Sequence, residues 1–113
     1  MNFREYQIKA RTSDVGTSAQ DNIKPGWLYY VLGIAGESGE FAEKVKKLFR
    51  DKYGVIDQEF KDAVIKEIGD ILWYQARLLD HLDINFDDVA INNIEKLSRR
   101  MKNGTIHGDG DDR

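Results

Sequence analysis

Apolar residues recur along this chain at helical spacing, and the polar stretches between them mark where each helix stops. In "NFREYQIKARTSD", Phe3, Tyr6 and Ala10 fall three or four apart and predict a short first helix. "GTSAQDNIKPG" shows no period and predicts a polar connection, with Pro25, the only proline, marking the entry to the next element. From Trp27 to about Phe49, the residues Leu28, Val31, Leu32, Ala35, Ala42, Val45 and Phe49 form one broad apolar face. "RDKYGVID" breaks that pattern. Phe60, Val64, Ile68, Leu72, Leu79 and Leu82 then resume a period near 3.6 and predict a third helix over about 59–82. Asn85 is placed to cap a fourth helix carrying Val89, Ile94, Leu97 and Met101. The remaining "NGTIHGDGDDR" is rich in glycine and aspartate, shows no periodicity, and reads as a flexible tail from about residue 103.

Four helical segments with short connections and no convincing strand alternation predict an all-α fold on a four-helix-bundle-type core. The apolar run "ILWY" sits inside a longer helical period, so it does not argue for a strand. No repeat or internal linker divides residues 1–113, which read as one helical domain able to bury about two-thirds of its unfolded surface. The apolar faces of the second and third helices are broad for so small a bundle, so self-association is expected.

Composition narrows the possible partners. Seventeen basic against twenty acidic residues give a net charge of −3, so no overall positive field recruits nucleic acid. With no cysteine there is neither a disulfide nor a thiolate–metal site, which fits a reducing compartment. No run approaches the roughly 20 apolar residues of a membrane span, and the opening "MNFREYQIKA" is mixed polar, unlike a signal peptide. The expectation is a soluble cytoplasmic protein.

Candidate chemistry lies in "GIAGESGEFAEKVKK", residues 33–47. Gly33, Gly36 and Gly39 each cost a helix about 1 kcal/mol relative to alanine, yet they stand beside Glu37 and Glu40. Acids three apart share a helical face, about 60° from one another. The third helix repeats the device with Glu67 and Asp70 in "KEIGDILWY". Both pairs sit at the margin of an apolar face, and antiparallel packing of the two helices brings them to a similar height. Four converging carboxylates repel unless a cation lies between them. Oxygen ligands without histidine or cysteine favour magnesium or manganese, and the glycines would let a ligand or helix approach closely. The competing reading is a solvated acidic face, which isolated acid pairs usually are. A di-iron bundle needs Glu-x-x-His pairs, and neither His81 nor His107 follows a glutamate at that spacing.

These two motifs resemble the paired Glu-x-x-Glu and Glu-x-x-Asp of the MazG-like nucleotide pyrophosphohydrolases, all-α nucleoside triphosphate pyrophosphatases. "NIEKLSRR" is similar to the Asn-x-x-Lys-Leu-x-x-Arg of that family's last helix, at Asn93, Lys96, Leu97 and Arg100. The likeness runs from about Tyr6 to the C-terminus. One departure is "RRMKNG", where many relatives carry an Arg-Tyr-Pro-like run.

The resemblance implies metal-dependent cleavage of a nucleoside triphosphate between its α and β phosphates, releasing monophosphate and pyrophosphate, as in clean-up of nucleotide pools. It implies Glu37, Glu40, Glu67 and Asp70 as magnesium ligands, with manganese a possible substitute. Glu37 or Glu40 is then the candidate to orient the attacking water or take its proton. Lys44 and Lys47, four and seven residues beyond Glu40, are candidates to meet the triphosphate, as are Lys96 and Arg100 from the fourth helix. Asn93 offers an amide, and Tyr74 stands one turn beyond Asp70. Solvated surface or core packing is the competing explanation for each of these side chains. Trp27 and Trp73 are possible base-stacking residues, but core packing is their commoner role. The resemblance also implies a homodimer or homotetramer. The alternatives are a nucleotide-binding regulatory module with little turnover and a helical interaction protein whose acids merely face water.

Overall fold

The computed structural model describes residues 1–16 and 18–113, with backbone alone at 18 and 19. Thr17, inside the expected polar connection, lies outside the described residues. All regular structure in the described residues is helical: α1 (Phe3–Ala10), a 3-10 turn (Arg11–Ser13), α2 (Ser18–Asp21), α3 (Leu28–Lys52), α4 (Gln58–His81) and α5 (Phe86–Lys102). The all-α expectation holds, and the long helices fall within about three residues of the bounds read from periodicity. The short α2 was not anticipated, because one turn of helix carries no period.

Local chemistry sets the ends. Asn2, Asp57 and Asn85 cap α1, α4 and α5 by accepting hydrogen bonds from the backbone N–H of Glu5, Phe60 and Asp87. α3 ends in a left-handed turn, with Tyr53 at φ 55° and Gly54 at φ 72°. The Gly54 N–H donates to the Leu48 carbonyl, and the Phe49 ring lies where a Gly54 side chain would stand. The chain then doubles back, and α3 and α4 make the most extensive contact in the molecule.

α1 packs across α4, and the buried centre there is Ala10, Ala76 and Phe86, flanked by Tyr6, Leu72, Trp73 and Leu79. Gln7, fully buried, keys α1 to the α4–α5 turn: its amide donates to the Ile84 carbonyl and its oxygen accepts from the Phe86 N–H and from Arg4. Phe3 stacks on Phe86 with ring centroids 4.8 Å apart. A second joint is ionic. Arg77, 8% exposed, donates to Asp14 and Asp80, and Asp80 also receives a two-pronged bond from Arg11. The Tyr30 hydroxyl donates to the same Asp14.

α5 leaves its apolar stripe largely uncovered. Ile94, Leu97 and Met101 share one stripe, yet Ile94 and Met101 are 64% and 68% exposed. Val31, Leu32, Phe49, Ile68, Leu82 and Val89, on the apolar faces that periodicity marked, are exposed too. The reason is geometric: α5 touches α1 and the end of α4 only lightly, so one chain lacks the elements to cover these faces. The accessible surface is 8073 Å², against about 6,300 Å² for a compact monomer of this mass. The radius of gyration is 17.3 Å, against about 13 Å for a compact chain of this length.

The Gly/Asp-rich tail makes contacts of its own. The Arg113 guanidinium donates to the carbonyls of Thr105, Ile106 and Gly110, and Arg100 donates to that of Asp111, folding residues 104–113 back on the end of α5. No helix of the described residues is long and apolar enough to cross a membrane.

Candidate metal centre

The antiparallel α3–α4 pair brings the two acid motifs together at mid-helix. One carboxylate oxygen from each of Glu37, Glu67 and Asp70 lies within 4.8 Å of the others. Glu67 is 4% exposed, while Asp70 opens to solvent. One oxygen of each of Glu37 and Glu67, Oε2, is buried without a hydrogen-bond partner. Such groups cost about 1–3 kcal/mol or more when left unserved, so the arrangement is unfavourable as it stands. Burial pushes the Glu37 carboxyl above the usual carboxylate range, and the charges of Glu40, Asp70 and Glu67 push it further. Glu40 is exposed and stands beside Glu37, within hydrogen-bonding reach, but outside the three-oxygen cluster.

This donor set fits a hard divalent cation. It is all oxygen, it is negatively charged, and it holds two orphaned buried oxygens that a cation would satisfy. Glu37, Glu67 and Asp70 would hold it, with Glu40 one carboxylate away.

Lys44, one turn beyond Glu40, carries the counter-charge in this structure. Its amine lies 2.5 Å from Glu67 Oε1. That bond raises the lysine's pKa. Lys44 and Lys47 also line a groove between α3 and α4 with a volume of about 310 Å³, floored by Leu48, Phe60 and Ala63. Tyr74 borders the cluster on the other side. Burial and a hydrogen bond with Tyr29 raise its hydroxyl to a pKa of about 12, and the charges of Glu37 and Asp70 contribute.

The glycines divide in role. A Cβ on Gly33 would meet the Tyr74 ring at 2.2 Å, whereas Gly36, Gly39 and Gly69 face open space. Only the first is demanded by packing within the described residues. The other sequence candidates lie elsewhere. Asn93 is exposed and Lys96 half-buried on α5, and no hydrogen bond or ion pair among the described residues joins either to the carboxylates. Arg100 is buried and directed at the tail, with its Nε unpartnered. Trp73 packs edge-on against Tyr74 and donates to Ser13, which accounts for it as a structural residue. Trp27 is 39% exposed.

Two neighbours of the cluster escaped sequence reasoning. Tyr6 on α1 senses the Asp70 charge, which adds to the effect of burial in raising its pKa. Tyr29 bonds Tyr74. Helical spacing marked Tyr6 only as an apolar residue, and nothing local distinguished Tyr29.

An all-helical chain presenting acids from two antiparallel helices, with unserved buried oxygens between them, defines a helical protein with a candidate divalent-metal site. Comparison with known proteins makes the class specific: the chain belongs to the MazG nucleotide pyrophosphohydrolase family, whose domain model matches residues 28–105. It is also similar to the Gene 37 protein of Mycobacterium phage L5, 44% identical over 110 residues that span 96% of each chain. That name states no activity. No solved structure matches the chain.

Proposed function

We propose that the protein is a magnesium-dependent nucleoside triphosphate pyrophosphohydrolase, adding water across the α–β phosphate bridge to yield a nucleoside monophosphate and pyrophosphate. Membership of the family supports the pyrophosphohydrolase class. The observation that carries the metal dependence is the pair of orphaned buried oxygens, Oε2 of Glu37 and Oε2 of Glu67, on two members of the three-carboxylate cluster. A bound divalent cation supplies charge neutralisation at phosphate oxygens and a water of lowered pKa. The chain supplies the rest. Glu37, Glu67 and Asp70, with Glu40, hold the cation. Glu37 or Glu40 is the candidate to take a proton from the attacking water. Lys44 and Lys47 offer positive charge to the triphosphate from the adjoining groove, and Tyr74 closes the opposite side. Asn93, Lys96 and Arg100 remain candidates to reach the triphosphate from α5, Arg100 after the tail releases it. In this reading the protein clears unwanted nucleotides and acts in the cytoplasm.

The same reading includes a homo-oligomer, dimer or tetramer. The surface beyond that of a compact monomer is about 1,700 Å² per chain, against about 800 Å² per partner in a standard interface. Its apolar content on α3 and α5 supports coverage by a second copy.

The test is incubation of the purified chain with a panel of nucleoside triphosphates and magnesium. Monophosphate and pyrophosphate are the expected products. Release of orthophosphate with a diphosphate overturns the bond assignment, and tight nucleotide binding without product points to a regulatory module.

A further inference from the structure

We infer that Lys44 is a resident counter-ion of the carboxylate cluster, one that an incoming divalent cation must displace. The inference rests on the metal-site reading above and adds a competitor within the chain. Glu67 has one oxygen on the Lys44 amine and the other buried without a partner. The lysine side chain is 45% exposed and the glutamate side chain 6%. The pair therefore joins a fixed, buried anion to a cation on a flexible, half-solvated stem. Moving Glu67 would mean disturbing the α3–α4 packing, whereas moving Lys44 needs only rotation of its own side chain.

Charge balance gives the exchange a direction. With Lys44 in place, the three clustered carboxylates face one amine and retain net negative charge. A divalent cation neutralises more of it and can serve the orphaned oxygens of Glu37 and Glu67, which a single amine on the rim does not reach. Once such a cation is present, Lys44 faces like charge at close range and turns outward. Its outward path is the groove it shares with Lys47, Lys52, Leu48, Phe60 and Ala63. The same amine thus partners the carboxylates in the metal-free chain and stands free on the groove wall in the loaded one. Loading the metal would thereby add one positive charge to the surface proposed to meet phosphate.

The experiment compares wild type with Lys44→Met, Lys44→Gln and Lys47→Met by magnesium calorimetry and thermal melting, without nucleotide. Lys47 lines the same groove but forms no ion pair with the cluster among the described residues, so its variant reports the long-range field alone. Expected for both Lys44 variants are a lower melting temperature without metal, a larger rise on adding magnesium, and binding tighter by about 3- to 10-fold, the upper figure corresponding to about 1.4 kcal/mol. Lys47→Met should bind magnesium nearly as wild type does. Equal affinity in wild type and the Lys44 variants, or equal tightening in Lys47→Met, overturns the displacement. Weaker binding in the Lys44 variants also overturns it, since the amine would then be supporting the loaded state. Absence of magnesium and manganese binding in every chain instead removes the metal site itself, and the inference with it.

Discussion

The Tyr74 ring lies against the α3 backbone at Gly33, so near that an added Cβ would sit 2.2 Å from Cδ1 and Cε1 of the ring. One glycine of the three in "GIAGESGEF" is therefore explained by contact, and it positions an aromatic residue beside the carboxylates. Gly33→Ala should destabilise the fold: overpacking costs about 1–3 kcal/mol, against a helix-propensity gain of about 1 kcal/mol. Gly36→Ala, with nothing within 4 Å, should be stabilising by up to that propensity gain. Urea unfolding of both variants checks this. Equal stabilisation by the two would show that the ring yields freely.

Asp80 sets an acid limit. Hydrogen bonds from Arg11, followed by those from Arg77, hold its carboxyl down at about 2, below its ordinary 3.8. A depressed carboxylate stabilises above its unfolded pKa, and that contribution is lost as pH falls through the folded one. With the side chain 14% exposed, the loss should be on the order of 1–2 kcal/mol between pH 4 and pH 2. Asp80→Asn should flatten that segment of the stability curve. On the alkaline side, burial and the bond to Asp14 raise the Tyr30 hydroxyl from 10.0 to about 12. Its contribution is intact below pH 10 and declines as pH rises toward 12. Melting temperature against pH, for wild type and for Asp80→Asn and Tyr30→Phe, reads both limits.

Burial raises the Glu37 carboxyl, and repulsion from Glu40 and then from Asp70 raises it further. Asp70→Asn should relieve that repulsion, so the metal-free chain melts slightly higher than wild type. It should also lose most of its magnesium response. Several kcal/mol of metal-borne stabilisation would go with the ligand, so turnover should fall on the order of 10²- to 10³-fold. Opposite signs for stability and activity are the signature. A variant that melts lower and still responds fully to magnesium would place Asp70 outside the site.

Ile94 tests the uncovered stripe. It is 64% exposed and shares a face of α5 with Leu97 and Met101. Ile94→Glu should leave the folded chain intact but weaken self-association by at least about 10²-fold, because an interface would bury an unpaired carboxylate. Sedimentation should show wild type as a dimer or larger and the variant as a monomer. A monomeric wild type would refute the oligomer.

What the sequence disclosed was what is local. Helices, caps and both acid pairs depend on spacing within one element, so Asn85 and the Glu37/Glu40 and Glu67/Asp70 motifs could be read directly. Partnerships across elements could not. Lys44 stood out as a basic residue near the acids, but its bond to Glu67 requires the register between α3 and α4. Arg77, which no local spacing singles out in "YQARLLDH", is the hub between Asp14 and Asp80. Periodicity marked the stripe of α5 as an apolar face without saying what covers it. The tail's glycines and aspartates concealed two arginine clamps, at Arg100 and Arg113, whose acceptors are backbone carbonyls common to every sequence.

The most deeply hidden large side chain among the described residues is an amide rather than a hydrocarbon. A leucine of similar size could slide along the α4–α5 corner with little change in energy. Gln7 cannot, because its two ends distinguish a carbonyl from an N–H and match only one seating. The first helix is thus indexed like a keyed plug. Since Tyr6 rides on that helix next to Asp70, a residue far from any acid motif fixes how one wall of the carboxylate pocket is hung.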